Sequence, residues 1–312
     1  MRRRVLSCAA VLAAFLAPSA AASPILGLRG DPGRFRDLTG QVSASQQVFP
    51  SWGSTDNRLD RAFANYGSVP LVAIGVKTPT DDEVITPGAI ARGRGDWYLK
   101  RVNRAAARFG ARAYIRPLGE MNGHWNPYCA YNADGSLRNR AHSRRAFKNA
   151  FRRIYVILHG GSRAAMNAKL ARYGMPGVST DLPTNPQVRV VWNPQGFGSP
   201  NIRGNMPRKY WPGRRFVDVV GDDLYDMHGS VSWDAADALY RRHPGKPFSF
   251  PEWGLWGVDD PAFVRHMRKF VLTHPRTELL AFYNDDPGSI FDLGTKPASR
   301  RAYRRYIVPL AG

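Results

Sequence analysis

Cysteine is nearly absent from this chain. Its 312 residues hold two, Cys8 and Cys129, and Cys8 lies in an N-terminal segment with the marks of an export leader. That segment runs from Arg2-Arg3-Arg4 through the apolar stretch Val5–Ala17 to the small residues Pro18-Ser19-Ala20-Ala21-Ala22-Ser23. Cleavage after Ala22 leaves Cys129 alone, so no internal disulfide is expected and packing must hold the fold. Cys8 precedes most of the apolar run, which argues against a lipid anchor and for a secreted, soluble chain. No second apolar stretch nears the ~18 residues a membrane span needs, so no membrane association is expected once the leader is gone. No Gly-, Ser- or Gln-rich linker divides the chain. One domain over residues 23–312, acting as a monomer, is the simplest organisation.

Acidic residues are scarce too. Asp and Glu number 24 against 45 Lys and Arg, a net charge of +21, and losing Arg2, Arg3 and Arg4 leaves about +18. Such an excess either attracts an anionic partner, such as an acidic cell-wall polymer, or is a solvated Arg-rich surface. The cations are spread along the chain and fall on outer faces of expected helices, Arg144-Arg145 and Arg152-Arg153 among them, which favours the second reading. Export argues against nucleic acid.

Other signatures are missing as well. The seven histidines show no His-x-His or His-Glu-x-x-His spacing, so no metal is expected. Asp222, Asp223 and Asp226 read as solvated acids at a strand end. No Gly-x-Ser-x-Gly or phosphate-cradling loop appears, which disfavours esterases and nucleotide enzymes. No cofactor is implied.

What is present is an alternation of short apolar runs with stretches of helical period, the pattern of an α/β fold built on a parallel sheet. The expected strands are Ile25–Leu28, Gln47–Phe49, Leu71–Val76, Tyr114–Leu118, Val188–Trp192, Val217–Leu224, Phe248–Phe250 and Leu280–Tyr283. Between them, stripes at Leu99/Val102/Ala106/Phe109, Phe147/Phe151/Ile154/Tyr155/Leu158 and Phe263/Met267/Phe270/Val271 predict helices. Asp260-Pro261 reads as cap and first turn of the last, and Asp96 as the cap of the first. Residues 78–95 and 195–215 read as loops. Eight strands with intervening helices predict a single-domain (β/α)8 barrel.

Two strands deliver a glutamate at their C-terminal ends, where the active sites of such barrels form. Tyr114-Ile115-Arg116-Pro117-Leu118 runs into Gly119-Glu120, and Phe248-Ser249-Phe250 into Pro251-Glu252. They are the fourth and seventh strands, so both acids are expected to face one cleft. Trp125, Tyr128, Trp253 and Trp256 follow in the adjoining loops. Paired carboxylates among aromatics suit glycosidic cleavage, in which one acid protonates the leaving oxygen and the other meets the anomeric carbon. A gap of ~5–5.5 Å gives retention of configuration, and ~6.5–9.5 Å gives inversion.

The segment Arg116-Pro117-Leu118-Gly119-Glu120-Met121-Asn122-Gly123-His124-Trp125 resembles the Arg-Pro-x-His-Glu-Met-Asn-Gly-x-Trp motif of glycoside hydrolase family 26, a β-mannanase-rich family of retaining barrels. Val191-Trp192-Asn193-Pro194, Tyr210-Trp211-Pro212-Gly213, Val217-to-Tyr225 and Lys246-Pro247 extend the likeness over most of the mature chain. The resemblance implies Glu120 as general acid/base, Glu252 as nucleophile and Tyr225 as hydrogen-bond partner of the nucleophile. It implies sugar contacts at Trp125 and Trp192, with Tyr283 beneath the sugar being cleaved. Arg116, Asn122, Trp253 and Trp256 complete the expected substrate-binding set. Gly119 stands where the family has histidine, and Tyr283 where it has tryptophan. The expected substrate is a β-linked polysaccharide or oligosaccharide, mannan first, with xylan or mixed-linkage glucan as alternatives. A non-catalytic glycan-binding wall protein is the rival from another class.

Overall fold

A computed structural model of the protein describes residues 23–54, 57–64, 69–78 and 80–311; the expected leader, Cys8 included, lies outside them. Eight strands pair in chain order, all parallel, and the eighth closes on the first. They are β1 Ile25–Arg29, β2 Ser45–Val48, β3 Val69–Ile74, β4 Ala113–Pro117, β5 Val188–Trp192, β6 Val219–Met227, β7 Phe248–Trp256 and β8 Thr277–Tyr283. The chain therefore folds as a single-domain (β/α)8 barrel.

The helices between the strands are α1 Pro32–Thr39, α2 Arg58–Ala64, α3 Pro87–Ala91, α4 Asp96–Phe109, α5 Arg144–His159, α6 Arg163–Ala171, α7 Trp233–Arg242, α8 Pro261–Thr273 and α9 Pro297–Tyr306. Local chemistry sets several of their ends. Asp260 caps α8 as expected, accepting from the Ala262 N–H at 2.7 Å, and Pro261 fills the first turn. Asp96 does not cap α4. Gly95 takes that place, and the Asp96 carboxylate instead binds Arg153 of α5 at 2.5 Å. Arg153 is thus buried, contrary to the outer-face expectation, whereas Arg265 and Arg268 on α8 and Arg301, Arg304 and Arg305 on α9 are exposed. The segment expected as loop over 78–95 contains α3, capped by Thr86 and too short to show a helical period. Residues 195–215 hold three single 3₁₀ turns.

Strand alternation divides the core. Leu71, Tyr114, Val191, Val219, Leu279 and Ala281 form one cluster, filling the barrel interior. Their strand neighbours Val72, Ile115, Val190, Val220, Leu280 and Phe282 turn outward and pack with the helices in the larger cluster. Asp222 also falls on an outward position of β6, which decides its chemistry below.

Candidate active site

Glu120 sits one turn beyond β4, in a tightly wound segment. Leu118 and Glu120 have φ of 52° and 53°, a region that non-glycine residues enter at a cost of about 1–3 kcal/mol each. The turn is held open by its neighbours. The Leu118 N–H donates to the Ile74 carbonyl at 3.0 Å, the Glu120 N–H to the Asn193 carbonyl at 2.6 Å, and the Tyr128 hydroxyl to the Gly119 carbonyl at 2.6 Å. The carboxyl group is gripped at both oxygens: the Trp125 indole N–H donates to Oε2 at 2.8 Å and Gln195 Nε2 donates to Oε1.

Glu252 owes its inward direction to a bulge. Between Phe250 and Trp253, β7 advances three residues while β8 advances two, from Leu280 to Phe282, and β6 likewise advances two from Gly221 to Asp223 against Ser249 to Glu252. Plain alternation would send Glu252 outward with Phe248 and Phe250; the extra residue shifts the phase and turns it in. Pro251 lies at this irregularity, where a strand tolerates a missing N–H. The Glu252 carboxylate accepts from Tyr225 at 2.9 Å, from Gln47 at 3.3 Å, and from Arg116 Nη1. Arg116 reaches Asp223 with its other terminal nitrogen.

Glu120, Glu252 and Asp223 thus share one cation. Burial raises the pKa of Glu120 and the negative charge of Glu252 raises it further, while Arg116, Trp125 and Gln195 work in the opposite direction. Burial likewise raises Asp223, with Arg116 opposing. Burial works against the charge of Arg116, yet Asp223 and Glu252 hold its pKa above the ordinary value. Tyr225 is raised by burial and by Glu252, so it stays a hydrogen-bond donor. The site therefore contains two carboxyl groups that burial biases toward their protonated forms, Glu120 and Asp223, beside Glu252, which three donors hold.

Around the two acids, Tyr283 packs against Phe291 at 4.9 Å and Tyr225 at 6.0 Å, and Trp256 meets Phe291 at 4.8 Å. Trp125 and Trp256 are exposed, at 43% and 37%. These rings form two walls, one on the β6–β8 side and one beside β4.

Several expected substrate contacts are placed differently. Trp192 and Trp253 are both fully buried. Trp192 points out of the barrel against Trp211, 4.8 Å away, and Trp253 stacks on Tyr303 of α9 at 5.7 Å. Both follow from strand phase, the second through the bulge that turns Glu252 in. Asn122 is buried as well; it donates to the Gln195 and Phe197 carbonyls and accepts from the Gln195 N–H, so it fixes the loop after β5. Arg116, at 5% exposure, serves the acids beneath the cleft. Truncating Trp253 to alanine is accordingly expected to cost about 3–5 kcal/mol of stability by leaving a cavity, with KM for the best substrate unchanged. Chemical denaturation and steady-state kinetics together check this.

The Asp222–Asp226 group is not solvated either. Asp222, Asp223 and Asp226 are 1%, 3% and 0% exposed. Asp222 faces the strand–helix layer beside Gly196 and Ala235, accepts from the Gly196 N–H, and has one oxygen, Oδ1, without a partner. Burial lifts its pKa from the ordinary 3.8 to about 8. Below 3.8 it is protonated folded or unfolded. Between there and about 8 only the folded state keeps the proton, so stability falls as pH rises, and above about 8 the loss is complete. Asp222→Asn removes this dependence: its Tm advantage over the wild type should widen from pH 4 to pH 8 and then level off, and thermal scans across that range would refute the assignment by finding a constant gap.

Gln195, Gln47 and Asp223 were not among the expected site residues. Gln195 follows the end of β5, the same kind of position that singled out the two glutamates. Gln46-Gln47, a polar pair in an otherwise buried strand, was a second available signal. Among the described residues no group of three or more His, Cys, Asp or Glu is arranged to hold a metal ion. A cavity of about 440 Å³ lies outside the barrel, where the 196–208 loop meets α7; its lining includes Phe197, Met206, Leu239 and Arg242 but no carboxylate.

No protein-family model matches the sequence, and no curated protein does. Solved structures do resemble the fold. A mannanase from Bacillus subtilis aligns over 92% of this chain and 86% of its own, at 17% identity and a TM-score of 0.61. An endo-β-1,4-mannanase double mutant from Cellulomonas fimi aligns over 91% of this chain and 70% of its own, at 18% identity and a TM-score of 0.62. A β-mannanase from a symbiotic protist of the termite Reticulitermes speratus, complexed with gluco-manno-oligosaccharide, aligns over 92% and 87%, at 15% identity and a TM-score of 0.57. At such identities the likeness establishes a common fold.

Proposed function

We propose that the protein is a retaining glycoside hydrolase of the β-mannanase type, with Glu120 as general acid/base and Glu252 as nucleophile. The observation that carries this reading is the unequal treatment of two carboxyl groups in one cleft. Glu120 is biased toward its protonated form, and Glu252 is gripped by Tyr225, Gln47 and Arg116. That inequality is what acid-assisted displacement at an anomeric carbon needs, and the resemblance to a family of retaining barrels supports the two-step form of it.

In the first step the Glu252 carboxylate attacks the anomeric carbon, the glycosidic C–O bond breaks, and Glu120 gives its proton to the departing oxygen. In the second, Glu120, now ionised, takes a proton from water whose oxygen attacks the same carbon and releases Glu252. Two inversions leave the configuration retained. Tyr225 and Arg116 offset the charge that returns to Glu252 when the intermediate resolves. Tyr283, Phe291 and Trp256 supply ring faces on one side of the acids and Trp125 on the other, surfaces that suit consecutive sugars of a chain. Mannan is the first candidate substrate because the sequence resemblance and the structural neighbours agree on it, with xylan and mixed-linkage glucan behind it. The leader-like N-terminus makes the mature protein a secreted one beginning at Ser23, which its intact mass from culture medium checks.

The test is hydrolysis of a panel of β-mannan, xylan and mixed-linkage glucan, read as released reducing ends. Release from mannan is expected. Binding to a glycan in the panel with no release from any member, at any pH between 4 and 9, would favour the non-catalytic glycan-binding reading, which Gly119 in place of the family histidine and the net positive charge motivate.

A further inference from the structure

Gly119 is the residue immediately before the proposed acid and the point at which the motif departs from the family it resembles. A glycine is often needed for its backbone, but Gly119 does not have a positive φ, so any residue could adopt its conformation. What it provides is space. A Cβ built there falls 2.7 Å from each of three Arg116 atoms, Cζ, Nε and Nη2, closer than real Cβ atoms come.

The tip of an arginine side chain ordinarily yields to such a contact. Here it has nowhere to go. Its two terminal nitrogens are engaged by Glu252 and Asp223, and all three residues are at most 9% exposed. Moving the guanidinium aside would strand two buried acids without their cation. The turn is no freer, since the Leu118 and Glu120 N–H groups and the Gly119 carbonyl are bonded to Ile74, Asn193 and Tyr128. Between a pinned turn and a pinned guanidinium there is room for a hydrogen atom and no more.

We propose that Gly119 is a positioning residue: its missing side chain lets Arg116 take the place from which it bridges Asp223 and Glu252. Gly119 and Arg116 are then one device, and a side chain at 119 acts through the displaced guanidinium. The kinetic half of this inference rests on Glu252 being the nucleophile. Because Arg116 is buried below the sugar, pushing it off Glu252 slows attack and leaves substrate binding nearly untouched.

A double-mutant cycle tests the device, using the full mature chain with Gly119→Ala, Arg116→Ala and the double variant. In the presence of Arg116, Gly119→Ala is expected to lower Tm by about 3 °C or more, as overpacking of a rigid site does. In the Arg116→Ala background the same substitution should change Tm by less than about 1 °C. If Arg116→Ala does not fold, both arms are run with Asp223→Asn, which removes one of the two stranded acids. Equal losses of Tm in both backgrounds, or none with Arg116 present, would overturn the proposal. In kinetics, Gly119→Ala should lower kcat at least about tenfold with KM within about threefold. A raised KM with unchanged kcat would mean that Gly119 meets the substrate, and would also overturn it. A wild type without hydrolytic activity would defeat the proposed function, while the Tm cycle would still decide this inference.

Discussion

Replacing Glu252 by alanine is expected to lower kcat by about 10⁴-fold or more while the protein still folds and still binds polysaccharide. The fold should tolerate the change because Arg116 keeps Asp223 as a partner and the bulge that aims position 252 is a property of the backbone. What is lost, on the proposed reading, is the group that forms the bond to the anomeric carbon. The vacated space beneath the sugar suits a small anion, so azide should restore turnover and give a glycosyl azide of inverted configuration. Full activity in the Glu252→Ala variant would remove the nucleophile from the scheme, as would azide rescue with retained configuration.

Replacing Glu120 by glutamine should cost about 10²–10⁴-fold on a natural polysaccharide, the usual worth of positioned acid/base assistance. The cost should depend on the leaving group. An aryl glycoside whose phenolate departs without a proton needs no acid in the first step, so its glycosylation rate should be nearly preserved while the second step, lacking a base, becomes limiting. A burst of phenol followed by slow turnover is the expected trace. The pH profile carries the second sign. Burial and the charge of Glu252 hold Glu120 protonated above the ordinary carboxylate range, so kcat/KM of the wild type falls on the alkaline side as Glu120 ionises. Glutamine cannot ionise, and that limb should disappear. A variant that keeps it would show that another group limits the rate there.

The frame of this site was legible in the sequence because barrels place chemistry toward strand ends, and both glutamates follow apolar runs: Glu120 lies just past β4, and Glu252 lies within β7, which continues to Trp256, past the expected end at Phe250. Orientation was not legible, for a definite reason. A period of two assigns faces only while the strand is regular, and the extra residue between Phe250 and Trp253 reversed the faces beyond it. Glu252 turned in and Trp253, expected in the cleft, stacked on Tyr303 instead. Trp192 failed more simply: in β5 it shares the outward phase of Val188 and Val190, which the strand alone displays once Val191 is assigned to the interior. Asn122 and Arg116 belong to the motif that marks the site, yet both are buried, Asn122 holding its backbone and Arg116 its charges. Asp222 and Asp223 carry the same chemical label on consecutive positions, and alternation sends one to the apolar layer and the other to Arg116. Composition alone cannot tell such neighbours apart. Gln195 and Gln47 reach the two acids from β5 and β2, distant in the chain, and only closure of the barrel brings them there.

Trapping tests the central claim most directly. A 2-deoxy-2-fluoro mannoside or manno-oligosaccharide with an activated leaving group slows both steps but leaves the covalent intermediate to accumulate, and peptide mapping by mass spectrometry then locates the sugar. One label per chain, on Glu252 and absent from Glu252→Gln, is the predicted outcome. An unlabelled protein that nonetheless hydrolyses mannan, or a label on any other residue, would contradict it.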